Sequence, residues 1–383
     1  MNRRNLVLAA PALLAGGVSM GLSGLAWASA STSPGVVRFG QSADMTGENA
    51  EHGRDVRAGI VAAFEAASRE GGGRGPRFEL ATLDDAGSAE RCVANVKAFA
   101  EAGVSALVGL THGGGTEASM SVIERHQMAL IGAATGDMGL RGETSGAAYN
   151  TRAGYDLEFK TMVGYARGRE LSRVGIVYLE GTAKPNLAAM TTALGSAGLR
   201  PVETIALDRN APSFDAVAAR LAAARLDCVL FMAQAAPTAA IIDRLAAARY
   251  RGLSYASSMA GPSLATTLAA RGHSAILSAV VPRSTADGVG VVQRCRQDLD
   301  ALGGEIPMSA SVLEGYIGGR IAVEAVRGAR PRGGAVGRPQ LKDSLAGLRT
   351  DLGGYAVHFT PGNPNGSKFV ELLTLNRYGN LVG

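Results

Sequence analysis

The stretch Ala106–Thr116, Ala-Leu-Val-Gly-Leu-Thr-His-Gly-Gly-Gly-Thr, decides the fold class of this chain. A short apolar run ends in a cluster of glycines, and a segment compatible with a helix follows. A strand that passes into a helix through glycines leaves backbone N–H groups uncovered at the start of the helix. Together with the helix dipole, those donors attract an anion such as a carboxylate or a phosphate. We therefore predict that this turn forms half of a ligand site.

Short apolar strands alternate with helical segments on both sides of this turn. A first series runs from Val36 to Ile131, and a second series starts at Tyr149. Such alternation predicts parallel, doubly wound sheets. We expect an α/β fold of two units of similar size, with ligands bound outside the carboxyl ends of the strands.

The same pattern predicts the bounds of individual elements. It predicts helices over Asp55–Ser68 and Glu117–His126 and a late strand over Ala279–Val281. Near the C-terminus, Gly354–Phe359 and Phe369–Leu375 flank a segment rich in proline, glycine and asparagine, which predicts a β-hairpin.

The composition is that of a globular protein without a nucleic-acid partner. Of the 383 residues, 46% are apolar. The chain has 38 basic and 33 acidic residues, which gives a formal net charge of +5 at pH 7. The basic residues are not clustered, and no zinc-finger spacing occurs, so we expect no nucleic acid as a partner. The acidic pair Asp84-Asp85 follows a strand, where such pairs usually cap a loop or face solvent. We therefore expect neither a bound metal nor a cofactor.

The first thirty residues have the features of an export signal. Arg3 and Arg4 give a positive start, Leu6–Leu25 is apolar, and Ala28-Ser29-Ala30 fits a small-residue cleavage site. A membrane anchor is disfavoured because a proline and several glycines interrupt the apolar stretch. The paired arginines also resemble a twin-arginine signal, so both export routes stay open. No cysteine stands at the cleavage point, and we expect a periplasmic protein without a lipid anchor.

The three cysteines, Cys92, Cys228 and Cys295, match neither a metal site nor a redox pair. We interpret them as small buried apolar residues. Export would still permit one disulfide among them.

Several short motifs follow one another along the chain. In order, they are Gly40-Gln41-Ser42-Ala43 with Thr46-Gly47, Leu83-Asp84-Asp85, Gly109–Thr116, Ile131–Thr135, Asn150-Thr151-Arg152-Ala153-Gly154-Tyr155, Leu313-Glu314-Gly315-Tyr316 and Phe359-Thr360-Pro361-Gly362. Together they resemble the periplasmic solute-binding proteins of the leucine/isoleucine/valine-binding type, which deliver ligands to ATP-driven (ABC) importers. The resemblance covers the chain from Val36 to the C-terminus.

The resemblance implies a type I periplasmic-binding fold. In such a fold, two α/β lobes are joined by three crossing segments and close on the ligand by a hinge. The crossings would fall near Arg152, Val281–Arg283 and Thr350–Gly353. After an export signal over 1–30, the first lobe would comprise 36–152 with 283–350, and the second 153–282 with 351–383.

The resemblance also implies a first-lobe grip for a ligand carboxylate. The family holds that carboxylate with a serine in the glycine-rich loop and a threonine after the next strand. Here the serine position matches Gly113, so the N–H of Gly113 or Gly114 would donate instead, with Thr111 or Thr116 as substitute hydroxyls. The threonine is kept as Thr135. It follows Ala133 and Ala134, which would offer a backbone carbonyl.

The remaining predicted contacts come from other loops. An aromatic residue that covers the ligand in the family matches His52, and we also expect His112 to face the cleft. Arg152 and Tyr155, at the first crossing, either contact the ligand or fix the hinge. Gln234 is the most suitable polar contact from the second lobe.

The second lobe differs from the family pattern in ways that bear on the ligand. The family's acidic residue, which pairs with a ligand ammonium, matches Met259, and its tyrosines match alanines near Ala183 and at Ala235-Ala236. An ammonium would lack a charge partner in a closed cleft, which is costly. We therefore expect a carboxylate without a neighbouring ammonium, or a larger apolar acid.

These features predict a monomer that binds a small molecule and an ABC importer permease, and no enzyme. One match to a hydrolase nucleophile motif, Gly17–Gly21, lies inside the export signal and follows no strand. A ligand-sensing regulator with the same two-lobed body is the alternative, and a periplasmic hydrolase is a weaker one.

Overall fold

The computed structural model describes residues 35–72, 75–142, 146–208, 210, 213–329 and 336–383. The predicted export signal, 1–30, lies outside these residues. Within them, every helix is too short or too polar to span a membrane.

The first part of the chain forms a five-stranded parallel sheet. Its elements are β1 (Val36–Ala43), α1 (Ala50–Glu70), β2 (Arg77–Asp84), α2 (Ala89–Glu101), β3 (Ala106–Val108), α3 (Gly113–Arg125), β4 (Leu130–Ile131), a 3-10 turn (Met138–Leu140) and β5 (Ala148–Tyr149). The strand order is β2-β1-β3-β4-β5, and all pairs are parallel. We call this sheet and the helices packed on it the first unit.

The next part repeats this arrangement in a second sheet. Its elements are α4 (Tyr155–Arg167), β6 (Val174–Leu179), α5 (Lys184–Ser196), β7 (Pro201–Leu207), α6 (Phe214–Ala223), β8 (Cys228–Met232), α7 (Ala235–Ala247), β9 (Leu253–Ala256), a 3-10 turn (Ser258–Ala260), α8 (Ser263–Ala270) and β10 (Ala275–Ala279). These five strands are parallel in the order β7-β6-β8-β9-β10. The second strand flanks the first in both sheets, so the prediction of two doubly wound α/β units is confirmed.

The last part of the chain completes both units. Its elements are α9 (Gly290–Asp300), α10 (Ala310–Gly328), α11 (Arg338–Leu345), β11 (Arg349–Asp351), β12 (Ala356–His358), β13 (Glu371–Leu375) and β14 (Leu381–Val382). Helices α9, α10 and α11 pack on the first unit with α1, whereas β13 and β14 extend the second sheet antiparallel to β10.

Helices α1 and α10 lie unusually close together because glycines meet at their contact. A Cβ on Gly59 would overlap the Val312 carbonyl, and one on Gly315 would overlap the Val56 carbonyl. Only a residue without a Cβ allows this approach. The contact brings the start of α1 beside the start of α10, near the carboxyl edge of the first sheet.

Helices α1 and α3 both begin earlier than predicted. Helix α1 starts at Ala50, so His52 lies in its first turn. Helix α3 starts at Gly113, because the His112 side chain caps it by accepting a hydrogen bond from the Gly115 N–H. The predicted late strand over Ala279–Val281 is instead β10, which ends where that prediction began.

The predicted C-terminal hairpin is wrong. Strand β12 pairs with β11, and β13 pairs with β10 and β14. The two segments belong to different cores: Val357 and Phe359 are buried in the first-unit cluster, and Leu375 is buried in a second-unit cluster. The segment between them contains a tight turn, in which Thr360 and Asn363 exchange backbone hydrogen bonds, but it passes from one unit to the other and does not pair β12 with β13.

The segments that cross between the units are hydrogen-bonded to one another. The Tyr355 hydroxyl lies 2.8 Å from the Thr151 carbonyl and 3.1 Å from the Val280 carbonyl. Asn150 pairs with Asn365 in a parallel bridge. The exact lobe boundaries stay a prediction. Because Tyr355 packs with the first unit, we propose that the third crossing follows Phe359, beyond Thr350–Gly353.

The three cysteines are free and buried, as interpreted from the sequence. Burial raises the pKa of Cys92 to about 11 and that of Cys228 to about 12. These thiols act as small apolar groups of the cores and do not form a disulfide with one another.

Candidate ligand-binding cleft

The first turn of α3 presents two free backbone donors. His112 accepts from the Gly115 N–H through Nδ1 at 2.9 Å, and the Thr116 N–H donates to the His112 carbonyl at 2.8 Å. The Gly113 and Gly114 N–H groups have no acceptor among the described residues. Since both precede the first internal bond of the helix, they are available to an oxygen of a ligand.

His112 itself serves as the cap of this turn. Its Nε2 lies 3.1 Å from the Gly87 carbonyl while its Nδ1 accepts from Gly115. Both contacts together require the proton on Nε2. The ring therefore joins the loop after β2 to the start of α3, and it positions the donors of the glycines.

Thr135 and Asp137 converge on Gly113. A Cβ built on Gly113 would lie 2.9 Å from Asp137 Oδ2 and 3.2 Å from Thr135 Oγ1. Thr135 is 8% exposed and Asp137 5%. Asp137 also caps the following 3-10 turn, since its Oδ1 accepts from the Gly139 N–H at 2.9 Å. The glycine is thus needed for space, because a side chain at position 113 would displace Asp137.

A residue of the second unit meets this group. Asn186, on α5, accepts from the Met138 N–H at 2.8 Å, and its amide nitrogen lies 3.3 Å from Asp137 Oδ2. Asn186 is buried. These bonds join the two units directly beside Gly113.

Arg141 is hydrogen-bonded to the backbone of the loop that contains Thr135 and Asp137. Its guanidinium donates to the backbone carbonyls of Asp137 at 2.8 Å and Thr135 at 3.1 Å, and to those of Arg152 and Ala153 at 3.3 Å. Burial lowers the pKa of Arg141 to about 10, which still leaves it charged at neutral pH. No carboxylate among the described residues forms an ion pair with it.

Arg152 is held entirely by the protein. It lies 2.7 Å from Glu158 of α4, 3.2 Å from Glu314 of α10 and 2.6 Å from the Ser258 hydroxyl. Burial alone would lower the pKa of Arg152, but Glu314 and Glu158 raise it above its ordinary value. Of the two roles predicted for Arg152, its contacts support fixation of the hinge.

Tyr155 backs the same loop. Its N–H donates to the Gly136 carbonyl at 3.0 Å, and its ring fills the space in which a Cβ of Gly136 would lie. Burial raises the pKa of Tyr155 to about 12 despite the nearby charge of Arg152.

A cavity of about 330 Å³ opens between the units. His52 lines it from the first unit, and Gln234, Ala235 and Ala236 line it from the start of α7. The Gln234 side chain makes no capping bond to α7, so it is free to meet a ligand. His52 is fixed by Ser311 Oγ, 2.8 Å from its Nδ1, and by the Ala134 carbonyl, 3.3 Å from its Nε2.

The structure therefore brings together two groups of predicted residues. One comprises Gly113, Gly114 and Thr135, and the other His52, Ala134 and Gln234.

Four other predicted residues belong to neither group. Thr116 and Ala133 are fully buried, Thr111 Oγ1 accepts from the Asp44 N–H, and Met259 packs against a second-unit core.

The sequence interpretation missed Asp137, Arg141 and Asn186. Asp137 lies two residues beyond Thr135 in the same loop, so a longer loop definition would have included it. No local sequence pattern marks Asn186 or Arg141 as part of the site. Asn186 reaches it because the two units meet there, and Arg141 because the loop after Thr135 folds over its side chain.

The acidic pair that follows β2 has a capping role. Asp84 accepts from the Met45 N–H at 2.9 Å and the Thr46 hydroxyl at 2.7 Å, and Asp85 accepts from the Ser42 hydroxyl at 2.8 Å. Burial raises the pKa of Asp85. No group of three or more potential metal ligands occurs among the residues described.

Comparison with known proteins identifies relatives of this chain. The sequence model of the periplasmic binding protein family matches residues 36–368. A possible leucine/isoleucine/valine-binding protein from Rhodopirellula baltica SH 1 is 22% identical, with a TM-score of 0.80 over 93% of this chain and 98% of that one. A search of curated proteins found no match.

Two further solved structures hold ligands. A branched-chain amino acid ABC transporter protein from Thermus thermophilus with bound valine is 16% identical, with a TM-score of 0.79 over 91% of this chain and 94% of that one. A solute-binding protein of an ABC transporter from R. palustris, in complex with 4-hydroxybenzoate, is 14% identical, with a TM-score of 0.75 over 90% and 95%. At these identities the likeness concerns the fold.

Proposed function

Because this chain belongs to the periplasmic binding protein family and has the fold of its leucine/isoleucine/valine-binding type, we propose that it captures a small solute between its two units. The protein with its bound solute then delivers that solute to the permease of an ABC importer. The observation that carries the proposal is the pair of free N–H donors of Gly113 and Gly114, with the Thr135 hydroxyl 3.2 Å from the position of a Cβ on Gly113.

We propose a ligand with two parts, an apolar body and an end group that is a carboxyl group or a derivative of one. Organic acids, aromatic acids and their derivatives have this form. Two N–H donors and a hydroxyl suit the oxygen of such a group. The body would lie against the alanines at the start of α7 in the cavity of about 330 Å³. Relatives that hold valine or 4-hydroxybenzoate support this class.

A free amino acid fits the second unit poorly. Met259 stands where the family pattern has an acidic partner for the ammonium, and it packs against the second-unit core. An ammonium group bound beside Met259 would have no acidic partner at that position, which costs about several kcal/mol. We therefore favour a ligand without an α-ammonium.

A thermal-shift screen of the mature protein tests this function. The ligands are amino acids, aromatic acids, hydroxy acids and small amides, each added in large excess. A ligand that binds only the folded protein stabilises it by about 2.7 kcal/mol at a hundred times its Kd, which raises the melting temperature. Stabilisation by one compound class supports the proposal, and no stabilisation by any class contradicts it.

Export to the periplasm is testable by fluorescence. The only tryptophan, Trp27, lies within the predicted signal. We propose that the periplasmic protein lacks it and emits as a tyrosine protein. Tryptophan emission from purified periplasmic material would contradict cleavage of the signal.

A further inference from the structure

Asp137 places a carboxylate of the protein itself at the proposed grip for the ligand. Its Oδ2 lies 2.9 Å from the position of a Cβ on Gly113, and Thr135 Oγ1 lies 3.2 Å from the same position. The side chain is 95% buried and cannot turn away freely, because Gly139 and Asn186 both hold it. A ligand end group that reaches the Gly113 N–H therefore lies beside a fixed carboxylate.

The charges around Asp137 leave little to neutralise a second carboxylate. Arg141, whose guanidinium donates to the backbone carbonyl of Asp137, is a cation bound to this loop, and its charge offsets that of Asp137. Arg152 is bound by Glu158 and Glu314 and so carries no free charge.

The other neighbours of Asp137 do not add positive charge. Glu117, on α3, is a further carboxyl group, and burial together with the charge of Asp137 raises its pKa. Tyr155 of α4 and Asn186 of α5 are uncharged. Two carboxylates in one water-poor site do not both stay ionised, so a ligand acid would have to bind together with a proton.

The hydrogen-bonding groups form a complementary set. The N–H groups of Gly113 and Gly114 require an acceptor, and the Asp137 carboxylate requires a donor. A primary amide offers both on one carbon, a carbonyl oxygen and an N–H. A carboxylic acid offers both only when it is protonated.

We propose that Asp137 is a specificity-determining residue that makes this cleft prefer ligands with a neutral end group bearing both an acceptor and a donor, primary amides above all. This inference rests on the proposed function and narrows its ligand class. A carboxylate ligand takes up one proton from solvent when it binds, and the proton is shared between its oxygen and Asp137.

The test compares matched pairs of acid and amide by calorimetry at about pH 7.5. The pairs are benzoate with benzamide and 3-methylbutanoate with 3-methylbutanamide. We expect the amide of at least one pair to bind the wild-type protein about tenfold or more tightly than its acid. Tighter binding of both acids, or binding of neither amide, would overturn the proposal.

The variant Asp137→Asn isolates the charge. Asparagine still caps the 3-10 turn, so the fold is kept. We expect the preference for the amide over the acid to fall about tenfold or more. The matched control is Glu117→Gln, which removes a nearby carboxyl group outside the contact set and should change the preference less than about threefold. An unchanged preference in Asp137→Asn would contradict the role of Asp137.

The pH dependence gives a second readout. Binding of benzoate should strengthen up to about tenfold per pH unit as the pH falls, because one proton is bound with it, while binding of benzamide should stay constant. Equal slopes would contradict proton uptake. If the wider screen finds a ligand but the amide preference is absent, the proposed function stands and this inference fails.

Discussion

The two walls of the cleft differ in kind. On our proposal the first-unit wall consists of Gly113, Gly114, Thr135 and Asp137, fixed by short loops at the carboxyl ends of β3 and β4, and of His52, which lines the cavity. The second-unit wall has small apolar side chains at the starts of α7 and α8, together with a few polar ones. The apolar residues are Ala235, Ala236, Ala239, Ala240, Ala260 and Pro262, and the polar ones are Gln234, Ser263, Thr267 and Arg271. The first wall supplies fixed, buried hydrogen-bonding groups, whereas most of the second consists of small side chains that leave space. On our proposal the first unit recognises the end group of the ligand, whereas the second sets the size of its body.

The largest expected effect concerns Arg152, which ties the two walls together. In Arg152→Met, Glu158 and Glu314 stay buried without their cation, so we expect the free energy of unfolding to fall by about 3–5 kcal/mol. Urea unfolding followed by circular dichroism measures it. The control is Arg244→Met, which breaks a pair with the exposed Asp215 and should cost less than about 1 kcal/mol. Equal losses of unfolding free energy in the two variants would show that Arg152 stabilises the protein no more than an exposed ion pair does.

Gly113→Val should have the next largest effect, since it fills the first wall. The new side chain would displace Asp137 and Thr135, and we expect ligand binding to weaken about a hundredfold with the fold intact. Gly114→Ala is the matched control, because a Cβ there meets nothing within 4 Å. Calorimetry with the best ligand of the screen gives both affinities. Normal binding by Gly113→Val would mean that the ligand lies elsewhere.

Removal of the Thr135 hydroxyl should have a smaller effect. We expect Thr135→Val to weaken binding about tenfold, the value of one hydrogen bond in a closed site. Thr135→Ser keeps the hydroxyl and should stay within about threefold of the wild type. If both variants bind alike, the hydroxyl makes no contact with the ligand.

The smallest effect is expected at the second wall. Ala236→Leu narrows the cavity without removing a hydrogen bond, so short ligands should bind as before and longer ones a few-fold more weakly. Ala247→Leu, exposed at the other end of α7, is the control. A uniform loss for ligands of every length would show that the second wall does more than limit size.

The fold was predictable because its signal is local and repeated. Each strand and helix carries its own apolar pattern, and the alternation alone indicates two parallel sheets. The hairpin prediction failed where two strands adjacent in sequence belong to different units, which no local pattern reveals. Helix α3 starts early because the His112 side chain caps it, and the local sequence does not predict that contact.

The site was predictable only where backbone groups form it. The donors of Gly113 and Gly114 follow from a glycine-rich turn between a strand and a helix. Asp137 and Asn186 were missed because their roles arise when distant segments meet beside Gly113. Likewise, the sequence left two roles open for Arg152, and only the positions of Glu158 and Glu314 distinguish them.

A crystal structure of the protein with the best ligand of the screen tests the central claim most directly. We predict an oxygen of the ligand end group about 3 Å from the Gly113 or Gly114 nitrogen, and the ligand body against Ala235 and Ala236. A ligand bound outside the cleft, or inside it with its end group turned away from α3, would contradict the account.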